Sequence, residues 1–170
     1  MKASSCIFFI SCILILGCGE DSHSLHKSEG GLHVHTAPHN GKLFELGEHG
    51  AGFNFELHLN SANKVNLYVL DAHAENFVRI KQQSIEILLD DENNSVLVLN
   101  AMADPATGET IGDTSHFQST FPASDILPID GTIHKIEIGT NTYNNQSISF
   151  SGNPQNDTHE HWSQTRPTDR

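Results

Sequence analysis

The sequence predicts an all-β domain, an antiparallel β-sandwich or open barrel of about seven to nine short strands, over residues 37–152. Three observations predict it. Short runs alternate apolar and polar residues, Gly, Asn, Asp or Pro punctuates their ends, and no apolar stripe of helical period occurs after residue 18.

Structure begins near Gly41, with a first short strand over 42–46 (KLFEL). The second run, 53–59, sets Phe53, Phe55, Leu57 and Leu59 on one face and Asn54, Glu56 and His58 on the other, as a half-buried strand requires. Turn residues at 60–63 predict a hairpin into a third strand over 65–70 (VNLYVL). Further strands are expected over 77–80 and 84–89, followed by an acidic turn at 90–95 (DDENNS) and a strand over 96–102. Residues 104–114, rich in Gly, Pro, Asp and Thr, read as loop. The last strands are expected over 116–121, 132–139 and 147–150, and the rival element is one helix near 122–127. Residues 153–170 are polar and contain Pro, which reads as a mobile tail.

Ahead of the domain, Lys2 precedes an apolar run over 6–16 (CIFFISCILIL), too short for a transmembrane helix and of the form of a secretory leader. Leu14-Ile15-Leu16-Gly17-Cys18 resembles the lipobox of bacterial lipoproteins, with Leu16 where a small residue is more usual. The resemblance implies a signal peptide over 1–17 and lipidation of Cys18, and Gly19 after the cysteine implies the outer membrane, on its periplasmic side. Residues 18–36 then form the lipidated cysteine and a His-rich flexible tether. Multiple acyl chains on one cysteine bury enough methylene for stable anchoring.

With a formal net charge of −12, the chain lacks the clustered Lys and Arg that nucleic acid requires, while its negative surface attracts cations. The three cysteines, Cys6, Cys12 and Cys18, all fall within residues 1–18, so the mature chain has no disulfide and no free thiolate ligand. A metal site must then use imidazole and carboxylate, and the chain has 12 histidines.

His33 and His35 stand at i and i+2, on one side of an extended segment, and His39 follows Pro38. With His49, they form the expected ligand set for Zn²⁺, Cu²⁺ or Ni²⁺. Weaker candidates are His73, in an acidic loop with Asp71 and Glu75, His116 at a strand start, and His159 and His161 in the tail. His23 and His26 read as solvated tether residues, and His58 and His134 as residues on the polar face of strands.

The segment 37–49 (APHNGKLFELGEH), followed by an alternating strand and then VNLYVLD at 65–71, resembles the amino-terminal domain of periplasmic adaptor subunits of heavy-metal efflux pumps and related envelope lipoproteins. The similarity runs in order over about residues 36–150. It implies a β-sandwich and the handling of divalent transition metals, with His39 and His49 as the carried-over residues. Asn40 stands where the family has glycine, and asparagine tolerates the left-handed turn that position needs.

The expected function is a membrane-anchored lipoprotein that buffers or delivers a divalent transition metal, linked to metal efflux. The alternative is an interaction module that docks on another envelope protein. No enzyme is expected, since H-E-x-x-H, G-x-S-x-G and a phosphate loop are all missing. The nearest enzymatic reading is a zinc hydrolase with Glu48 as base.

Overall fold

The structure, a computed structural model, describes residues 35–123 and 126–152. The leader, Cys18, the tether with His23, His26 and His33, the tail with His159 and His161, and residues 124–125 of the rival helix lie outside the described residues.

Eight antiparallel strands form one sheet: β1 (Lys42–Leu46), β2 (Phe53–Leu59), β3 (Val65–Leu70), β4 (Ser84–Leu89), β5 (Val96–Ala101), β6 (His116–Ser119), β7 (Ile129–Ile138) and β8 (Asn141–Phe150). Their order is β1-β2-β3-β6-β5-β4-β7-β8. The sheet curls until its edge strands approach: Tyr143 of β8 meets Phe53 of β2 edge to face at 6.2 Å, beside Gly47 at the end of β1. The fold is therefore all-β and nearly closed, and the described residues contain no helix.

Alternation explains the core. The inward residues Leu46, Phe55, Leu57, Leu67, Ile87, Leu99, Phe117, Ile133 and Phe150 pack into one apolar cluster to which every strand contributes. Asparagine and aspartate set the turns. Asn60 Oδ1 accepts the amides of Ala62 and Lys64 between β2 and β3, and Asp91 Oδ1 accepts those of Asn93 and Ser95 between β4 and β5. Hydrogen bonds from Ser95, first of all, hold the Asp91 carboxyl below the usual aspartate range.

Two segments differ from the sequence expectation. Residues 77–80 make only isolated bridges, Leu70 with Phe77 and Ile80 with Thr114. Beyond the Tyr68–His116 pair the Val69 amide still donates to Ser115 O, but Val69 O accepts the Val78 amide instead of one from the β6 side. Strand β7 starts earlier than expected, at Ile129, because residues 129–131 pair with the end of β8, as in Ile129 opposite Phe150, and β8 is longer because the polar run 141–146 (NTYNNQ) continues the hairpin ladder, as in Glu137 opposite Thr142 and Ile136 opposite Tyr143. Backbone pairing with β7 holds this run in the sheet although it offers few apolar side chains.

Candidate functional site

The outer face of β1, β2, β3 and β6 carries the chemistry. Cross-strand register aligns Leu43, Glu56, Tyr68 and His116 in one row, with Glu45, Asn54 and Leu70 in the row beside it. Sequence alternation assigns Asn54 and Glu56 to the polar face, yet both are buried. The strap 35–41 and the loop 71–77 cover that face, as the contacts of His39 with Tyr68 and Phe77 record.

Glu56 is the centre of the covered region. Its side chain is 0% exposed, and it accepts the backbone amides of His39 and Gly41 on Oε1, both at 2.8 Å. Its Oε2 accepts His39 Nδ1–H at 2.9 Å. A carboxylate can only accept, so this contact puts the proton on Nδ1 and leaves Nε2 unprotonated in the neutral ring. The strap reaches Glu56 because Asn40 adopts φ 56°, and because Gly41 lies so close to β2 that a Cβ would stand 2.2 Å from Leu57 O.

His39 stacks on Tyr68 at 3.9 Å and Tyr68 on His116 at 4.5 Å, both pairs within 14° of parallel, with His58 6.0 Å from His39. His116 donates Nε2–H to Asn66 Oδ1 at 2.8 Å, which also accepts Gln118 Nε2–H. Burial lowers the pKa of His116 and of His58 below the ordinary histidine value, outweighing the attraction of Glu109 for His116 and of Glu56 for His58. Burial, reinforced by Glu56, raises that of the Tyr68 phenol. His39, Tyr68 and His116 form a continuous stack, and the rings at its two ends are also hydrogen-bonded.

A second group lies at the other end of the strap. His35 has the ring of His49 at 5.3 Å and that of His73 at 5.9 Å. The three come from different segments: the strap, the β1–β2 turn and the loop after β3. His49 donates Nδ1–H to Glu45 Oε1 at 2.6 Å, which leaves its Nε2 available to a ligand. His73 is presented by a turn that Asp71 builds, accepting the amides of His73 and Glu75 on Oδ1 and Asn76 Nδ2–H on Oδ2. Burial acts to raise the Asp71 pKa, but these hydrogen bonds prevail and lower it. Asp71 is thus committed to the turn, and of that loop it is His73 that joins the cluster.

Compared with family models, curated proteins and solved structures, the chain matches none.

Of the residues singled out in the sequence, His35, His49 and His73 are brought together, while His39 and His116 belong to the stacked group. The turn at 37–40, closed by the Asn40 amide on Ala37 O, sends His35 and His39 in different directions. His134 is exposed on β7, with Nδ1 at 3.3 Å from Asn145 Oδ1, and takes part in neither group. As the side chains stand, no three His, Cys, Asp or Glu donors converge on a point among the described residues. Ring separations still bear on capacity. With Zn–N of roughly 2.0–2.1 Å, two imidazoles on one ion have centres roughly 5–6.5 Å apart, a range that includes the His35–His49 and His35–His73 separations of 5.3 and 5.9 Å.

Sequence reasoning passed over Glu56, Tyr68 and Asn54, which organise this face. The available signal was a glutamate and an asparagine set between Phe53, Phe55 and Leu57, followed in the next strand by a tyrosine in the outward register.

Proposed function

We propose that this chain is an extracytoplasmic, membrane-anchored lipoprotein that binds a divalent transition metal, Zn²⁺, Ni²⁺ or Cu²⁺, and buffers or delivers it. The observation that carries the reading is the gathering of His35, His49 and His73 from three separate segments at 5.3 and 5.9 Å. Three imidazoles with no sulfur donor suit these ions, and the Glu45 carboxylate on His49 Nδ1 is the partner that orients a metal-binding ring. His33, two residues before His35, is the nearest further imidazole in the chain. His39 serves instead as the anchor of the strap, bound to Glu56. The leader motif ending at Cys18 supports tethering at the outer membrane, and the similarity to adaptor domains supports a link to metal efflux.

The test uses full-length protein extracted from membranes in detergent. Titration with Zn²⁺, Ni²⁺ and Cu²⁺ is expected to give about one tight ion per chain, and replacing His35, His49 and His73 by alanine is expected to weaken it about 100-fold, by the loss of several ligands. Equal binding by the triple variant would assign the metal to the loose histidines of the termini and end this reading. For the anchor, Cys18→Ser is expected to release the protein to the soluble fraction.

A second reading, an interaction module, draws on Val96 and Val98, 51% and 37% exposed on the outward face of β5. An envelope partner retained after chelation and after the triple substitution would favour it.

A further inference from the structure

The sheet is nearly closed, but its two edge strands, β1 and β8, share no ladder among the described residues. At one end of the seam between them, Tyr143 packs against Phe53 beside Gly47. At the other end lies a cavity of about 240 Å³, lined by His39 and Gly41 of the strap, by His58 and Leu59 of β2, and by Phe150 and Gly152 where β8 ends. The two glycines set backbone but no side chain against this space. An apolar cavity of roughly 150 Å³ takes benzene, so this one has room for a bicyclic ring.

The chemistry of the walls identifies what fits. Phe150 is part of the core cluster and Leu59 packs against it, so one side of the cavity is apolar. His39, His58 and Phe150 present rings, which favours a flat ligand. His39 also brings an acceptor. Its Nδ1–H is committed to Glu56 Oε2 at 2.9 Å and its ring is stacked on Tyr68 at 3.9 Å, so the polar ring atom it has left is the unprotonated Nε2. The stack and the hydrogen bond fix the ring in advance, which spares a ligand the cost of ordering it. Neither Lys nor Arg lines the cavity and burial lowers the pKa of His58, so at alkaline pH an anion meets no positive side chain there. An ammonium would lose its water against Leu59 and Phe150 with no carboxylate to receive it, because the strap occupies Glu56.

We propose that this cavity binds a flat, uncharged ring that carries one N–H or O–H donor, an indole or a phenol, with the donor on His39 Nε2 and the ring body against Leu59 and Phe150. The site goes beyond the metal-binding reading and does not rest on it, since none of His35, His49 and His73 lines the cavity. Two sources offer this chemistry. One is a free aromatic molecule, and the other is Trp162, the one tryptophan of the chain, in the segment that follows Gly152.

The experiment titrates full-length, ¹⁵N-labelled protein with indole and with p-cresol, the free ligand fixed by dialysis, at about pH 8, above the ordinary histidine pKa of about 6.5. Saturable shifts are expected at the amides of Gly41, His58, Leu59 and Gly152 and at His39 Nε2. Benzofuran, which has the shape of indole without its N–H, is expected to bind about tenfold more weakly, as one hydrogen bond is lost. His39→Asn keeps an amide donor for Glu56 but has no Nε2, so it is expected to weaken indole by the same factor and to leave benzofuran unchanged. Where that variant fails to fold, the difference between indole and benzofuran on the wild type decides. Trp162→Phe separates the sources: indole bound equally by wild type and variant assigns the cavity to a free molecule, and indole bound only by the variant, or about tenfold more tightly by it, assigns the cavity to Trp162. Benzofuran bound as tightly as indole overturns the role of His39 Nε2. No saturable shift at these amides in either the wild type or Trp162→Phe overturns the site.

Discussion

His39 and His49 each donate Nδ1–H to a glutamate, His39 to Glu56 at 2.9 Å and His49 to Glu45 at 2.6 Å. The distances suggest equivalent contacts, but the surroundings differ. Glu56 is 0% exposed and Glu45 is 50% exposed. A buried carboxylate has no water to turn to, so its protein donors carry net stability, and removing them leaves an unpaired buried group. An exposed pair competes with solvent at every moment and contributes about 0–1 kcal/mol. The stacked group around Glu56 is thus part of the fold. The group around His35 is open, only partly bonded within the protein, and able to bond something else.

The largest expected effect belongs to the buried member. Glu56→Ala strips the acceptor from the amides of His39 and Gly41 and from His39 Nδ1, and is expected to cost about 3 kcal/mol in urea unfolding. The strap should detach before the barrel unfolds, visible as fast amide exchange confined to residues 35–41. A loss under about 1 kcal/mol would show that the strap is held by stacking on Tyr68 alone.

An intermediate effect follows from His116 and His58. Burial lowers both pKa values from the ordinary 6.5, so the folded chain favours the neutral rings and the unfolded chain takes up protons first as pH falls. Their contribution is fully present above pH 6.5 and is lost as pH falls through the folded pKa values. Melting temperature is expected to decline below pH 6.5, and His116→Gln, which can still donate to Asn66, to flatten that decline. An unchanged pH profile in the variant would remove His116 from the linkage.

The two regions also differ in how far the sequence revealed them. Strand alternation exposed the core directly, because Phe55, Leu57 and Leu67 sit at the period that a two-faced strand demands. The same rule misread Asn54 and Glu56, since it knows two faces and not a third layer: the strap and the loop at 71–77 bury the polar face of the sheet. His49 and His35 were singled out from composition and spacing as candidate ligands. Their companion could not be ranked, because what separates His73 from His39 is a long-range fact: Glu56 claims His39 from the next strand but one, and the loop after β3 brings the His73 ring to 5.9 Å from that of His35. Spacing along the chain carries no information about either.

The smallest expected effect is the one that separates the regions most sharply. Without metal, replacing His35, His49 and His73 by alanine should change stability by no more than about 0.5 kcal/mol, as for surface substitutions that break no buried bond. Among the described residues the one hydrogen bond lost is His49 to Glu45, between side chains 52% and 50% exposed. A ligand that binds only the folded state raises its stability by about 2.7 kcal/mol at 100 times its Kd, so Zn²⁺ should raise the wild-type melting temperature and leave the triple variant where it was. Thermal unfolding with and without Zn²⁺ reads both halves at once. If the triple variant melts well below wild type in the metal-free state, the exposed imidazoles are themselves part of the fold, and the contrast with the Glu56 group disappears.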